Sequence, residues 1–283
     1  QGGSLTIWGI GLNQLGGAAN FNGKQIIVKA GMQKGLPLAN PLQIGTIMQG
    51  TIFQSYGNWL ETNQWIRLIP LPGNVDPVAP TNLSINWQQG QTLAEALTAT
   101  LKAALPGTAV VDNTSPALVL PQADGSYFFT FTQLAQYIKS TSISIMNNPS
   151  YAGVNMTFQQ NNIVLSDNST PPAAKPISFL DLVGQPTWVD YGTIQVTVVM
   201  RGDLHVNDII SLPNTVINAS IGSGGSGDVL AVGAQQATSP VFQGNFRINA
   251  MRHVGSSRNP SATSWITTID CNPLAQTTSS TVG

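Results

Sequence analysis

Imidazole, thiol and carboxylate groups carry most protein chemistry, and this chain has two histidines, one cysteine and 12 carboxylates, only two of them glutamates, to supply it. Asp203, His205 and Asp208 lie close together in sequence, and a strand through them would put Asp203 and His205 on one face. One imidazole with two carboxylates is a thin set for a zinc ion or for acid–base work. We read the stretch as a strand end entering a turn at Val206-Asn207-Asp208. Arg201-Gly202-Asp203 matches an adhesion tripeptide and is read as a turn. Cys271 has no partner for an intrachain disulfide. Gly9-Ile10-Gly11 with Gly16-Gly17 has the wrong spacing for a dinucleotide loop, and no Lys-Ser/Thr pair follows the glycine-rich stretch Ser220 to Gly227. Glu61 and Glu95 fall in different domains, so no glycosidase-type pair forms from them. No catalytic, cofactor-binding or metal residue is assigned, no cofactor is expected, and the chain is read as non-enzymatic.

Composition points to a different kind of work. The 283 residues are 42% hydrophobic, enough for a sizeable core, but only 8% charged. Ordinary soluble proteins carry about 25% charge. A surface made of Ser, Thr, Asn, Gln and backbone is cheap to desolvate, which suits a protein covered by its neighbours. Net charge is −1 and Lys and Arg occur singly, so the basic stripe of a nucleic-acid binder is missing. No apolar run approaches the ~20 residues that cross a bilayer. The competing reading is a charge-poor secreted β protein, but a disulfide-stapled scaffold is excluded.

The elements fall into three spans. In 1–80, Leu5 to Trp8, Gln25 to Lys29, Ile44 to Phe53 and Trp65 to Ile69 read as short strands. Turns are expected at Asn22-Gly23, at Gly35 to Pro41 and at Tyr56-Gly57-Asn58. Leu71 to Pro80 reads as a linker, since its three prolines do not fit a central strand. In 81–170, Thr92-Leu93-Ala94-Glu95 forms a capping box, and Leu93, Leu97, Leu101 and Leu105 make one helical stripe ended by Pro106-Gly107. A weaker helix is expected over Thr132 to Ser140, with strands at Leu83 to Trp87, Tyr127 to Phe131 and Val154 to Leu165. Thr170 to Pro176 is a second, proline-stiffened linker. In 171–283, alternation marks strands through Thr193 to Val198, Phe246 to Arg252 and Trp265 to Asp270. Ser220 to Gly227 reads as a flexible loop, and the tail after Pro273 as frayed.

The last span also carries a likeness. Phe179-Leu180-Asp181-Leu182-Val183-Gly184-Gln185-Pro186-Thr187-Trp188 leads into Met200 to Pro213. Phe242-Gln243-Gly244-Asn245-Phe246-Arg247-Ile248, Met251-Arg252-His253-Val254-Gly255 and Ser264 to Ile269 follow. Together they resemble the tail and baseplate hub proteins of contractile-tailed bacteriophages, over about the final third of the chain. The resemblance implies a mainly β chain with an α+β middle, two small tube-like β-barrels flanking a small α+β domain. It also implies a homotrimer whose barrels form a pseudo-sixfold ring between a sixfold tail tube and a threefold central spike. The partners would be other copies, tube, spike and other baseplate proteins, with DNA only as passing cargo, and the location would be the virion. The interface or lumen candidates are Arg201, His205, Arg247, Arg252 and His253, while Phe242 and Phe246 are expected in the core. A receptor- or carbohydrate-binding peripheral tail protein is the alternative. It would need clustered exposed aromatics, whereas Trp8, Trp59, Trp65, Trp87, Trp188 and Trp265 are scattered in sequence. A cell-wall hydrolase is disfavoured by the scarcity of His and Glu.

Overall fold

The computed structural model describes residues 3–33, 38–72, 81–159, 162–169, 171–213, 242, 244–259 and 261–274. Strands dominate, and the two longer helices lie in the middle of the sequence. The chain divides into two compact units, Gln1–Lys29 with Thr46–Thr170, and Ala30–Gly45 with Pro171–Gly283. The flexible-loop expectation for Ser220 to Gly227 lies outside the described residues, as do most of the first linker and nearly all of the tail.

The first unit begins with a sheet of β1 (Leu5–Trp8), β2 (Gln25–Ala30), β3 (Gly45–Leu60) and β4 (Asn63–Pro72), ordered β1-β4-β3-β2. A short helix α1 (Leu12–Gly16) and a 3-10 turn at Ala18–Phe21 pack on one face, where Ala18, Ile52, Ile66 and Leu68 are buried with Leu15 and Phe21 against them. The turn expected at Tyr56-Gly57-Asn58 is instead continuous strand. Gly57 serves close approach: a Cβ there would lie 2.8 Å from Leu15 Cδ1 and 2.9 Å from Leu15 O. The hairpin turns four residues later, where Glu61 takes a left-handed φ of 55°.

The same unit holds the α+β part. Helix α2 (Leu93–Ala104) carries both hydrogen bonds of the expected box, Glu95 N–H to Thr92 Oγ1 and Thr92 N–H to Glu95 Oε2, each 3.2 Å. These satisfy donors that the first helical turn leaves open. Its Leu93, Leu97, Leu101 and Leu105 are all buried. Helix α3 (Phe131–Met146) is longer than expected and begins with a second box, Thr130 with Gln133. Strands β5 (Leu83–Trp87) and β7 (Asp124–Phe128) pair antiparallel; β6 (Ala109–Asn113), β9 (Asn162–Ser166) and β8 (Asn155–Gln159) make a separate sheet with β6 parallel to β9. One apolar cluster joins these elements, with Trp87, Leu97, Leu134, Ile138 and Ile163 at its centre.

The second unit is built on a six-stranded sheet, ordered β10-β13-β14-β15-β12-β11. The strands are β10 (Lys175–Pro176), β11 (Thr187–Asp190), β12 (Thr193–Val199), β13 (Ile209–Leu212), β14 (Gly244–Gly255) and β15 (Trp265–Pro273). The second linker thus ends as an edge strand, where Pro176 costs no ladder bond for its missing N–H. Ile194, Val196, Val198, Ile210, Phe246, Ile248, Ile269 and Cys271 fill one face. Phe246 is core as expected, and Phe242 packs half-buried against it. Among the described residues both large sheets are open ladders, ending at β1 and β2 in one and at β10 and β11 in the other.

Candidate functional site

Four of the five candidate side chains lie half-buried or exposed in the second unit; Arg201 does not. It is 4% exposed and committed to its own unit. Its Nε and Nη2 donate to the two oxygens of Asp203 at 2.7 and 2.8 Å, and Nη1 reaches Asp181 Oδ2 at 3.2 Å. Asp181 also accepts from Gln43 Nε2 at 3.0 Å and from Ser178 N–H at 3.2 Å. The Arg201 guanidinium is therefore occupied within its own unit. It ties the segment Ala30–Gly45 into this unit, where Gly202 N–H donates to Gln43 O at 2.9 Å. Two glycines permit that approach: a Cβ on Gly45 would sit 2.0 Å from Gly202 O, and one on Gly202 would sit 2.4 Å from Ala30 O.

Beside this knot, Asp208 accepts from Lys175 Nζ at 2.7 Å and from His205 N–H at 2.8 Å, with His205 Nδ1 3.6 Å away. Burial pushes the Asp208 carboxyl up, but His205 and Lys175 outweigh it and hold the group below the usual range. His253 Nδ1 lies 3.0 Å from Thr267 Oγ1, which accepts from the Arg201 N–H. Burial, then the nearby His205, lowers the His253 pKa and favours its neutral form. The residues weighed for metal chemistry are thus engaged in ion pairs and turns. Among the described residues no group of three His, Cys, Asp or Glu could hold a metal ion. The Cys271 thiol is pushed up to about 12, first by burial and then by Asp270, so its nucleophilic form is suppressed.

Arg247 and Arg252 are five positions apart and would point to opposite faces of a regular strand. The register shift at Asn249 alters this, pairing Arg247 with Asn272 and Arg252 with Thr268. A bulge of this kind re-aims every later side chain. Both arginines consequently lie on the face away from the core, with Gln195, Thr197, Thr268, Asp270 and Asn272. That face satisfies itself across strands: Gln195 Nε2 donates to Asp270 Oδ1 at 2.9 Å, and Thr193 Oγ1 to Asn272 Oδ1 at 3.0 Å. Arg252 is exposed, while burial lowers the pKa of half-buried Arg247, whose Nε has no hydrogen-bond partner among the described residues.

Strand pairing in the first unit assembles a surface that sequence reasoning missed. Trp8 pairs with Trp65, and Tyr56 with Arg67, on the face opposite α1. The Trp65 ring centroid is 6.0 Å from that of Trp8 and 6.2 Å from that of Tyr56. Trp8 is 45% exposed and Leu60, further along the same face, 69%. Trp8 and Trp65 are far apart in sequence, so only knowledge of the β1–β4 pairing would have joined them.

No family model and no curated protein matches the sequence. Solved structures do match. A component of the type VI secretion system of E. coli, described as structurally similar to the T4 bacteriophage tail proteins gp27 and gp5, aligns over 98% of this chain and 71% of its own, at 11% identity and a TM-score of 0.50. The chain shares that fold. The 43 kDa tail protein of prophage MuSo2 from Shewanella oneidensis aligns over 95% of this chain and 87% of its own, at 10% identity and a TM-score of 0.49. The tail protein from Neisseria meningitidis MC58 aligns over 81% of each chain, at 12% identity and a TM-score of 0.47. The mainly β architecture with an α+β middle, expected from the tail-protein resemblance, is the architecture found. Among the described residues no helix is long and apolar enough to cross a membrane.

Proposed function

We propose that this chain is a non-enzymatic structural subunit of a bacteriophage tail baseplate, located in the virion. More finely, it is a trimeric hub joining a sixfold tail tube to a threefold central spike around the DNA conduit. One observation carries the reading: the fold correspondence runs through nearly the whole chain, to a protein described as similar to T4 tail components. Sparse charge and a bare aromatic sheet face fit a molecule that is covered by others. Its partners are copies of itself, the tail tube protein, the central spike protein and other baseplate proteins, with DNA passing through. In this reading spans 1–80 and 171–283 act as two tube-like domains flanking 81–170. The face bearing Arg247 and Arg252 then lines the lumen or bridges subunits. Cryo-electron microscopy of intact particles tests the proposal: a threefold ring on the tail axis is expected, and a peripheral fibre would overturn it. Incubation with peptidoglycan is expected to release no fragments.

The clustering of Trp8, Tyr56 and Trp65 favours one other reading, a peripheral tail protein that binds carbohydrate or a receptor. Sugar-dependent quenching of tryptophan fluorescence would support it.

A further inference from the structure

The bare face of the β1–β4 sheet and the β11–β12 hairpin both expose aromatic side chains and carry opposite charges, Arg67 on the face and Asp190 on the hairpin. The sheet face presents Trp8, Tyr56, Leu60 and Trp65, with Ile27 exposed on the outer strand β2. Beside the aromatic cluster the face carries the cation Arg67 on β4, Lys29 lies towards the far end on β2, and none of the four strands contains Asp or Glu, the carboxylate Glu61 sitting in the β3–β4 turn. The hairpin is the reverse. Trp188, Val189 and Tyr191 are exposed at its tip, Tyr191 completely, around the acidic Asp190. Residues 187–195 contain no Lys or Arg. Local contacts shape the turn: Tyr191 N–H donates to Asp190 Oδ1 at 2.7 Å, Gly192 takes a φ of 69°, and Trp188 rests on Phe242 with ring centroids 6.0 Å apart. Strand β11 also ends its sheet, so its open edge invites a cover.

We infer that the β11–β12 hairpin of one copy docks on the β1–β4 sheet face of a second copy, with Asp190 against Arg67 and with Tyr191 among Trp8, Tyr56 and Trp65. The inference rests on the assembly reading above and specifies which surfaces meet. Charge selects the geometry. A two-fold pairing of the aromatic clusters would set Arg67 near its own copy, and a pairing of hairpins would set Asp190 against Asp190. A head-to-tail contact brings Arg67 and Asp190 together, and such contacts generate rings where the rotation closes and open filaments where it does not. The size is adequate as well. Aromatic side chains bury ~150–250 Å² each, so the hairpin and face together supply several hundred Å² of the ~800 Å² per partner in a standard interface.

The test is a charge swap in the full-length chain, read by sedimentation over a concentration series. Arg67→Asp and Asp190→Lys alone are each expected to weaken self-association by about tenfold to a hundredfold, and the double variant to recover most of that loss. Both residues are exposed, and recovery in the double variant excludes misfolding as the cause. If the wild type assembles and both single variants assemble equally well, the docking assignment is overturned while the assembly reading stands. A double variant no better than the worse single one overturns it too. A wild type that stays monomeric at every concentration and is absent from particles overturns both. Tryptophan quenching by chitin oligosaccharides that is lost in Trp8→Ser would hand the sheet face to a glycan and end the inference.

Discussion

The two units answer the same problems in opposite ways. In the first, the buried carboxylate Asp167 meets only neutral donors, the Ser169 hydroxyl and N–H, the Ser115 N–H and the Tyr151 hydroxyl. In the second, Asp181, Asp203 and Asp208 are met by the cations Arg201 and Lys175. The outer faces invert the contrast. The second unit's bare sheet face is polar and hydrogen-bonded across its strands, so it tolerates water. The first unit's is aromatic and leaves apolar surface exposed. A sheet can leave one face in water only if that face is polar. The demand for a partner therefore falls on the sheet face in the first unit and on the Trp188–Tyr191 hairpin in the second, while sensitivity to lost charge is concentrated in the second.

The largest expected effect comes from Arg201→Met. It leaves buried Asp181 and half-buried Asp203 without their cation, a change that costs about 3–5 kcal/mol. Hydrogen exchange should accelerate in β12 to β15 and not in α2 or α3. Equal acceleration in both units would show that the knot is not confined to the second. Leu97→Ala follows, expected to cost ~2–5 kcal/mol because Leu97 is fully buried at the centre of the α+β core. Its exchange pattern should be the mirror image, with α2 and β5 released first. A smaller effect is expected from acid. The folded Asp208 pKa is depressed, so its contribution is present above the unfolded value near 3.9 and is lost as pH falls through the folded pKa. Asp208→Asn should flatten the acid limb of stability in the second unit only. Asp167, also depressed despite burial because of its Ser169, Ser115 and Tyr151 partners, keeps that limb in the first.

What could be read in advance was local. The Thr92 and Glu95 box and the Leu93 to Leu105 stripe lie within a few helical turns, and the helix formed where they pointed. The Thr130 and Gln133 box carries the same signature and sets the start of α3 just ahead of the Thr132 expected from side-chain pattern alone. Strand β6 left little trace because its residues are largely exposed and so lack alternation. Gly57 was mistaken for a turn because its reason, the approach of Leu15, comes from elsewhere in the chain. Arg201 looked available beside a turn, and only the arrival of Gln43 and Asp181 buries it. The shared face of Arg247 and Arg252 depends on one bulged residue, Asn249, which nothing in a period-two pattern announces.

The smallest expected change in stability is the one that most sharpens the contrast between the units. Trp8→Ser with Tyr56→Ser removes two exposed rings that each pack on the Trp65 ring. Substitutions away from core packing usually fall within about 0.5 kcal/mol, although loss of the ring contacts adds to that. Thermal unfolding of the isolated chain should therefore barely move, and self-association should fall sharply. The matching change on the polar face, Gln195→Ala with Thr197→Ala, should leave self-association nearly as it was if that face is content in water. Should the second pair abolish association while the first leaves it intact, the apolar face would not be the one that seeks cover. The polar sheet carrying Arg247 and Arg252 would then be the contact surface.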